Sequence, residues 1–233
     1  MSIFKISKCV EKIGSEASVQ SWDNTGILIN SNTPKNSDKK VLLCIDFTPS
    51  VLKECIENNI KYVVSYHPCI FHPIKKLTDD LYISCIQNFI SIFSPHTMLD
   101  DFMNDYILKL LGPNPGTFDE IVVKTKKMFG LDFVRVVKSQ RNQPYLNNGD
   151  IFVGVGAAFR NVKHENCLLI TGEMSHHDLL KCKFTKTDVI MLEHSNSERI
   201  ILPEIKRILE NDSEISDYEI IISQNDTDPV EIV

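Results

Sequence analysis

Apolar and polar positions along this chain switch between the helical period and the strand period. Residues 2–15 set Ile3, Phe4, Val10 and Ile13 among charged positions at helical spacing, which predicts a first helix packed by one stripe. The turn-forming stretch Ser21-Trp22-Asp23-Asn24-Thr25-Gly26 follows, then a short strand over 27–29, with Trp22 expected to plug a core or an interface. Residues 30–40 read as a polar surface loop. A buried parallel-type strand over 41–46, a helix over 49–58 opened by Pro49 and a second strand over 62–65 make one βαβ unit. A helix over 80–88, a strand over 91–94 and a helix over 101–111, stopped by Gly112-Pro113, continue the alternation.

Farther on, residues 117–124 and 133–138 have strand character, 142–149 form a turn-rich loop that can mark a lobe boundary, and 151–156 suit another strand. The glycines Gly154 and Gly156 belong to neither a dinucleotide fingerprint nor a P-loop, so close backbone packing is their expected use. Strands are predicted over 167–170, 188–192 and 218–222. Helices are predicted from about Ser175 and over 196–210, the latter with Leu202, Ile205 and Leu209 on one face, and residues 225–233 read as a loosely held tail.

Composition narrows the classes. The 233 residues suit one large α/β domain or two small lobes. No apolar run approaches the roughly 20 residues that span a bilayer. A formal charge of −6 argues against broad nucleic-acid binding, and the densest basic cluster, Lys124, Lys126 and Lys127, fits a solvated helix or strand edge. The seven cysteines are scattered and never spaced Cys-x-x-Cys, which predicts reduced thiols in a cytoplasmic or nuclear protein.

Candidate chemistry gathers where strands end. Four predicted strands hand over to Tyr66-His67, to His96 with Asp100, to Glu173 with His176 and His177, and to His194 with Glu198. Of the seven histidines only His72 and His164 lie elsewhere. Open α/β sheets bind ligands outside the carboxyl ends of their strands. Imidazoles with carboxylates and no paired cysteines point to an open divalent centre of Zn, Mn or Fe rather than a structural zinc. A carboxylate such as Glu198 can bridge two ions, an arrangement that activates water and clamps a reacting oxygen. His194 and Glu198, at i and i+4, share a helix face. Ser195 and Glu198 also read as a capping box, in which case Glu198 only closes a helix N-terminus.

The ordered set Trp22-Asp23-Asn24-Thr25-Gly26, Ser65-Tyr66-His67-Pro68, Ser94-Pro95-His96-Thr97 with Asp100, Thr171-Gly172-Glu173-Met174-Ser175-His176-His177-Asp178 and Glu193-His194-Ser195-Asn196-Ser197-Glu198-Arg199 resembles the NIF-three-like family, the GTP cyclohydrolase I type 2 homologues. The resemblance implies an α/β fold of two similar lobes with mixed sheets flanked by helices, approximately 1–125 and 126–233, without the domain that longer members insert. It also implies two divalent metal ions and a toroidal homohexamer built from dimers. Carried onto matching positions, His67, Asp100, His194 and Glu198 are the implied metal ligands, with Glu198 bridging. Tyr66, His96, Glu173, His176 and His177 are the implied pocket residues, Glu198 and His96 being the candidates for catalysis. Many bacterial members carry two adjacent histidines where this chain has Tyr66-His67, so a phenol with a pKa of about 10 stands in place of a ligand. Two functional readings follow from the resemblance. One is a metal-dependent hydrolase acting on a nucleotide or related small molecule. The other is a non-enzymatic metal-binding interaction or regulatory protein.

Overall fold

The computed structural model describes residues 2–141, 143–159 and 164–231. In chain order the elements are α1 (Ser2–Glu11), β1 (Gly26–Ile29), β2 (Lys40–Cys44), α2 (Pro49–Glu57), β3 (Tyr62–Ser65), α3 (Asp80–Gln87), β4 (Ser91–Ser94) and α4 (Asp100–Leu111). After them come α5 (Phe118–Phe129), β5 (Arg135–Val137), β6 (Ile151–Gly154), β7 (Leu168–Thr171), α6 (His176–Phe184), β8 (Asp188–Met191), α7 (His194–Arg199), α8 (Leu202–Glu210) and β9 (Glu219–Ile222). Two compact units result. Met1–Asp101 with Ile201–Thr227 make the first, and Phe102–Ile200 with Asp228–Val233 the second. Where a single division near residue 125 was expected, the chain leaves the first unit after Asp101 and re-enters it at Ile201.

The first unit is a five-stranded sheet in the order β1-β4-β3-β2-β9, parallel except for the antiparallel edge strand β1. Its central strands β2, β3 and β4 are almost wholly buried runs, as two-sided coverage requires. Leu42, Cys44, Val51, Cys55, Val63, Ile90 and Ile92 pack one core. Pro49 opens α2 behind an N-cap, Thr48, that accepts from the Val51 amide. The stripe of α1 proves to be Ile3, Ile6, Cys9 and Val10, with Phe4 left exposed.

The end of this unit is firmly held. The buried Asp226 accepts from the amides of Ile45 (2.6 Å) and Asp46 (3.3 Å), so the expected loose tail does not begin at residue 225. Residues 232 and 233 of that expectation lie outside the described residues. Glu54, buried on α2, accepts from Ser223 Oγ (2.5 Å), the Gln224 amide (3.0 Å) and both the backbone and the side-chain nitrogens of Asn225 (3.3 and 3.2 Å). Burial pushes its carboxyl up, but the hydrogen bonds from residues 223–225 outweigh it and hold the pKa below the ordinary 4.5. A depressed carboxylate stabilises the fold fully above its unfolded value and loses that contribution as pH falls through the folded one. Thermal melts from neutral to acid pH should therefore show the wild type losing more stability below pH 4.5 than Glu54→Gln does. At neutral pH Glu54→Ala should cost about 1–3 kcal/mol, the penalty for leaving buried donors unmet. Equal acid sensitivity in wild type and Glu54→Gln would rule this account out.

The second unit carries a four-stranded sheet, β5-β8-β7-β6, parallel but for β5. Helix α5 replaces the strand expected over 117–124. Thr117 and Glu120 form a reciprocal capping box, Gly130 closes the helix in the left-handed region, and Ile121 and Thr125 are buried one turn apart. The β-branched run Ile121-Val122-Val123 suggested a strand, but the caps and a core of Leu111, Ile121, Tyr145, Leu168 and Ile190 override that propensity. The turn-rich loop is present over its described part, and Asn142 lies outside the described residues. The single helix expected over 196–210 is two helices. Pro203 sits in the first turn of α8, where it lacks the amide that a continuous helix needs, and the break coincides with the return to the first unit. Among the described residues, no helix is long and apolar enough to cross a membrane, and all seven cysteines are free thiols, six of them buried.

Candidate metal centre

In the first unit the groups stand at the carboxyl ends of β2, β3 and β4, three adjacent parallel strands. Tyr66 and His67 prolong β3, their amides donating to Cys44 O and Ile45 O at 2.9 Å each. His67 Nδ1 lies 2.8 Å from Asp46 Oδ1, just past β2. His96 follows β4, its amide donating to Tyr66 O (3.1 Å) and its Nδ1 lying 2.6 Å from Asp23 Oδ1. Asp23 also accepts from Thr97 Oγ1 (2.5 Å) and the Thr97 amide (3.2 Å). Burial pushes the Asp23 carboxyl up, yet the bonds from Thr97 and His96 prevail and hold its pKa below 3.8, the ordinary value. A backbone φ of 37° at His96 places this non-glycine residue in a sparsely populated region, and the Asp23 contacts help to pin it there.

Tyr66 is buried, and its hydroxyl donates to Asp100 Oδ1 at 2.5 Å. The phenol is therefore a donor that orients a carboxylate.

In the second unit β7 and β8 deliver the remaining groups. His194 is the first residue of α7, and its Nδ1 lies 3.0 Å from Glu173 Oε1, past the end of β7. One turn on, Glu198 is 2% exposed, with Oε1 3.5 Å from His194 Nε2. The capping-box alternative fails. The N-cap is Glu193, which makes no side-chain cap, while the Ser195 hydroxyl donates to Asp228 at 2.7 Å. Glu193 itself takes φ 67° and ψ 157°, a conformation nearly confined to glycine, and its carboxylate is gripped by the Arg135 guanidinium through Nε (2.7 Å) and a terminal nitrogen (3.0 Å). Gly156 has φ 59°, and a Cβ there would stand 2.7 Å from Glu198 Oε1 and 3.0 Å from His194 Nε2. Close packing is thus the use of Gly156, as the sequence implied. His176 and His177 are exposed in the first turn of α6, rings 5.6 Å apart.

One chemical feature recurs. His67, His96 and His194 each set Nδ1 against a carboxylate, of Asp46, Asp23 and Glu173 respectively. Held that way, an imidazole donates through Nδ1 and presents the Nε2 lone pair, the arrangement typical of metal-ligating histidine. Among the described residues, Asp46 and Asp23 are the members that the strand-end reading missed. Asp46 could have been found, since it closes the apolar run 41–45 just as His67 closes its neighbour. Asp23 could not, because its partner is 73 positions away.

The model of the Duf34/NIF3 (NGG1p interacting factor 3) family matches residues 1–114 and 110–229. The chain belongs to this family. Its curated relatives include NGG1-interacting factor 3 of Saccharomyces cerevisiae, 30% identical with 91% of this chain and 90% of that protein covered, and the NIF3-like protein 1 of Drosophila melanogaster, 31% identical with 97% and 87% covered. The GTP cyclohydrolase 1 type 2 homolog of Clostridium perfringens is 26% identical, with both chains covered completely. Among solved structures, a hypothetical protein of Staphylococcus aureus superposes with a TM-score of 0.81 at 20% identity, covering 99% of each chain, and a NIF3-related protein of Bacillus cereus with 0.77 at 14%, again covering 99% of each. At those identities the superpositions establish the NIF3 fold alone.

Proposed function

We propose that this NIF3-family protein binds two divalent ions, Zn, Mn or Fe, and hydrolyses a nucleotide or related small molecule. The observation that carries the reading is the set of imidazoles held by carboxylates through Nδ1, which fits ligand chemistry better than surface or core histidine. Donors of the kind offered by His67, His194 and Glu198 suit a divalent cation. In this reading Asp100 would complete the ligand set with Glu198. When bound, the ions lower the pKa of water and polarise the substrate. Asp46 and Glu173 fix the tautomers of His67 and His194, and Tyr66 fixes the rotamer of Asp100. His96, paired with the buried carboxylate of Asp23, holds or moves a proton at Nε2, the role of a general acid or base. His176 and His177 are placed to meet substrate rather than metal. The name of the Clostridium relative supports a nucleotide as substrate class.

The name of the yeast relative favours a second reading, in which a metal-binding member works through protein partners without turnover. Metal analysis of tag-free protein prepared without chelator, followed by a hydrolysis screen of nucleotides, decides between them. About two ions per chain with turnover that a chelator abolishes supports the hydrolase. Loaded protein that turns over nothing supports the second reading, and protein that takes up no metal ends both. Tyr66→Phe, measured by calorimetric titration, should weaken metal binding about 10- to 100-fold, as loss of a group that orients a ligand does. The hexamer of dimers and the cytoplasmic or nuclear location belong to the same proposal, checked by sedimentation and fractionation.

A further inference from the structure

Beside the His67–His96 cluster the first unit exposes two large rings. Trp22 is 59% exposed and Phe71 42% exposed. Trp22 was expected to plug a core or an interface, and its exposure in the chain excludes the core. The two centroids are 6.0 Å apart at an interplanar angle of 43°. His96 presents an edge to both, at 6.0 Å and 74° to Trp22 and at 6.1 Å and 78° to Phe71. The backbone around each ring is tied down. The Asp23 amide donates to Gln20 O at 2.9 Å, and Asp23 is held by His96 and Thr97. Asn24 Nδ2 donates to Ile70 O (2.5 Å), joining the two ring-bearing loops, and the Tyr82 hydroxyl donates to Cys69 O at 2.7 Å. Two apolar rings held out in water by polar anchors are a pre-organised surface.

We propose that Trp22 and Phe71 form a stacking platform that receives the planar heteroaromatic ring of a ligand, with His96 at its edge. The geometry selects this class. A separation of 6.0 Å is too narrow to insert a ring, which needs about 3.5 Å on each side, so a ligand ring stacks on the outer face of Trp22 and abuts Phe71. With Nδ1 on Asp23, the Nε2 of His96 is the polar atom left to meet a ring heteroatom. A cation cage is disfavoured because the carboxylate at hand, that of Asp23, is fully buried and occupied by His96 and Thr97. This inference rests on the proposed hydrolase for its biological meaning, since it names the part of the substrate recognised beside the metal.

The test uses metal-free protein and adenosine, a neutral nucleoside without phosphate, so that binding reads the platform alone. Trp22 is the only tryptophan of the chain, and its emission reports on this surface directly. Adenosine should quench it saturably. Phe71→Ala should weaken that binding about fivefold or more, and Trp22→Ala, followed by equilibrium dialysis, about tenfold or more, the range for loss of one stacking partner. Both variants should melt within a few degrees of wild type, since neither ring is buried. The proposal is overturned if quenching does not saturate, if choline binds as tightly as adenosine, or if sedimentation shows Trp22→Ala dissolving a self-association. In that last case the platform, with the exposed Ile74 and Leu77 of the same loop, is a protein interface. A failed metal proposal would leave adenosine quenching intact, so the two failures are distinguishable.

Discussion

Glu198→Gln is expected to strip the protein of divalent metal, lowering affinity at least about 100-fold, while the melting temperature in metal-free buffer moves by no more than about 3 °C. The reason lies in what the side chain does. It is 2% exposed, yet it is not a cap and not part of the apolar clusters, and its Oε1 lies 3.5 Å from His194 Nε2. The amide keeps the shape that fits beneath Gly156 and removes the charge that Glu198 would bring to the cations of the proposed site. Calorimetric titration with Zn and Mn, with metal content measured on the same preparations, checks it. A variant that retained its metal would remove Glu198 from the ligand set, and a large fall in melting temperature would make it a structural residue instead.

Gly172→Ala should do the reverse, damaging the fold first and the site through it. Gly172 follows β7 directly, and a Cβ there would lie 2.5 Å from Gly156 O and 2.9 Å from the Cα of His194. Both are backbone atoms, which cannot turn aside as the end of a flexible side chain can. The chain must shift where Gly156 O also receives the Glu173 amide at 2.9 Å. Overpacking of this kind costs about 3 kcal/mol, or roughly 6–12 °C in melting temperature for a chain of this size. Since His194 and Glu173 are displaced together, metal binding should fall as well. Differential scanning calorimetry without metal gives the first effect and calorimetric titration the second. An unchanged melting temperature would show that the β7–α7 junction is not packed as described.

The strand ends of the candidate metal centre are legible in the sequence because they rest on local signals. The short, mostly apolar segments 62–65, 91–94 and 188–192 suit buried strands, and in a parallel sheet whatever follows such a segment stands at the carboxyl edge. Tyr66-His67, His96 and His194 fell into place on that ground. The secondary structure was readable where the start signal was plain, as in α2 behind Thr48 and Pro49. It was misread where two local signals disagreed. Helix α5 forms where a strand was expected over 117–124, because a capped helix that buries one stripe satisfies more backbone than an isolated strand would. Pro203 divides the expected 196–210 helix.

What sequence could not supply is the identity of partners far apart in the chain. Asp23 holds His96 across 73 positions, and Glu54 holds residues 223–225 across about 170. Neither pairing leaves a periodic trace, since each is fixed by sheet order and not by the neighbours of either residue. The role of Tyr66 was hidden for the same reason: only the placement of Asp100 34 residues later makes it the donor that orients a carboxylate. Even the choice for Glu198 between capping and facing His194 needed the backbone of Glu193, whose φ of 67° starts α7 one residue before Ser195. The sequence by itself determined the strands that flank the candidate site and the residue types at their ends, and with them the class of chemistry proposed. The tertiary structure decided which nitrogen each imidazole presents, because a tautomer is set by a hydrogen bond and the bonds here come from distant segments.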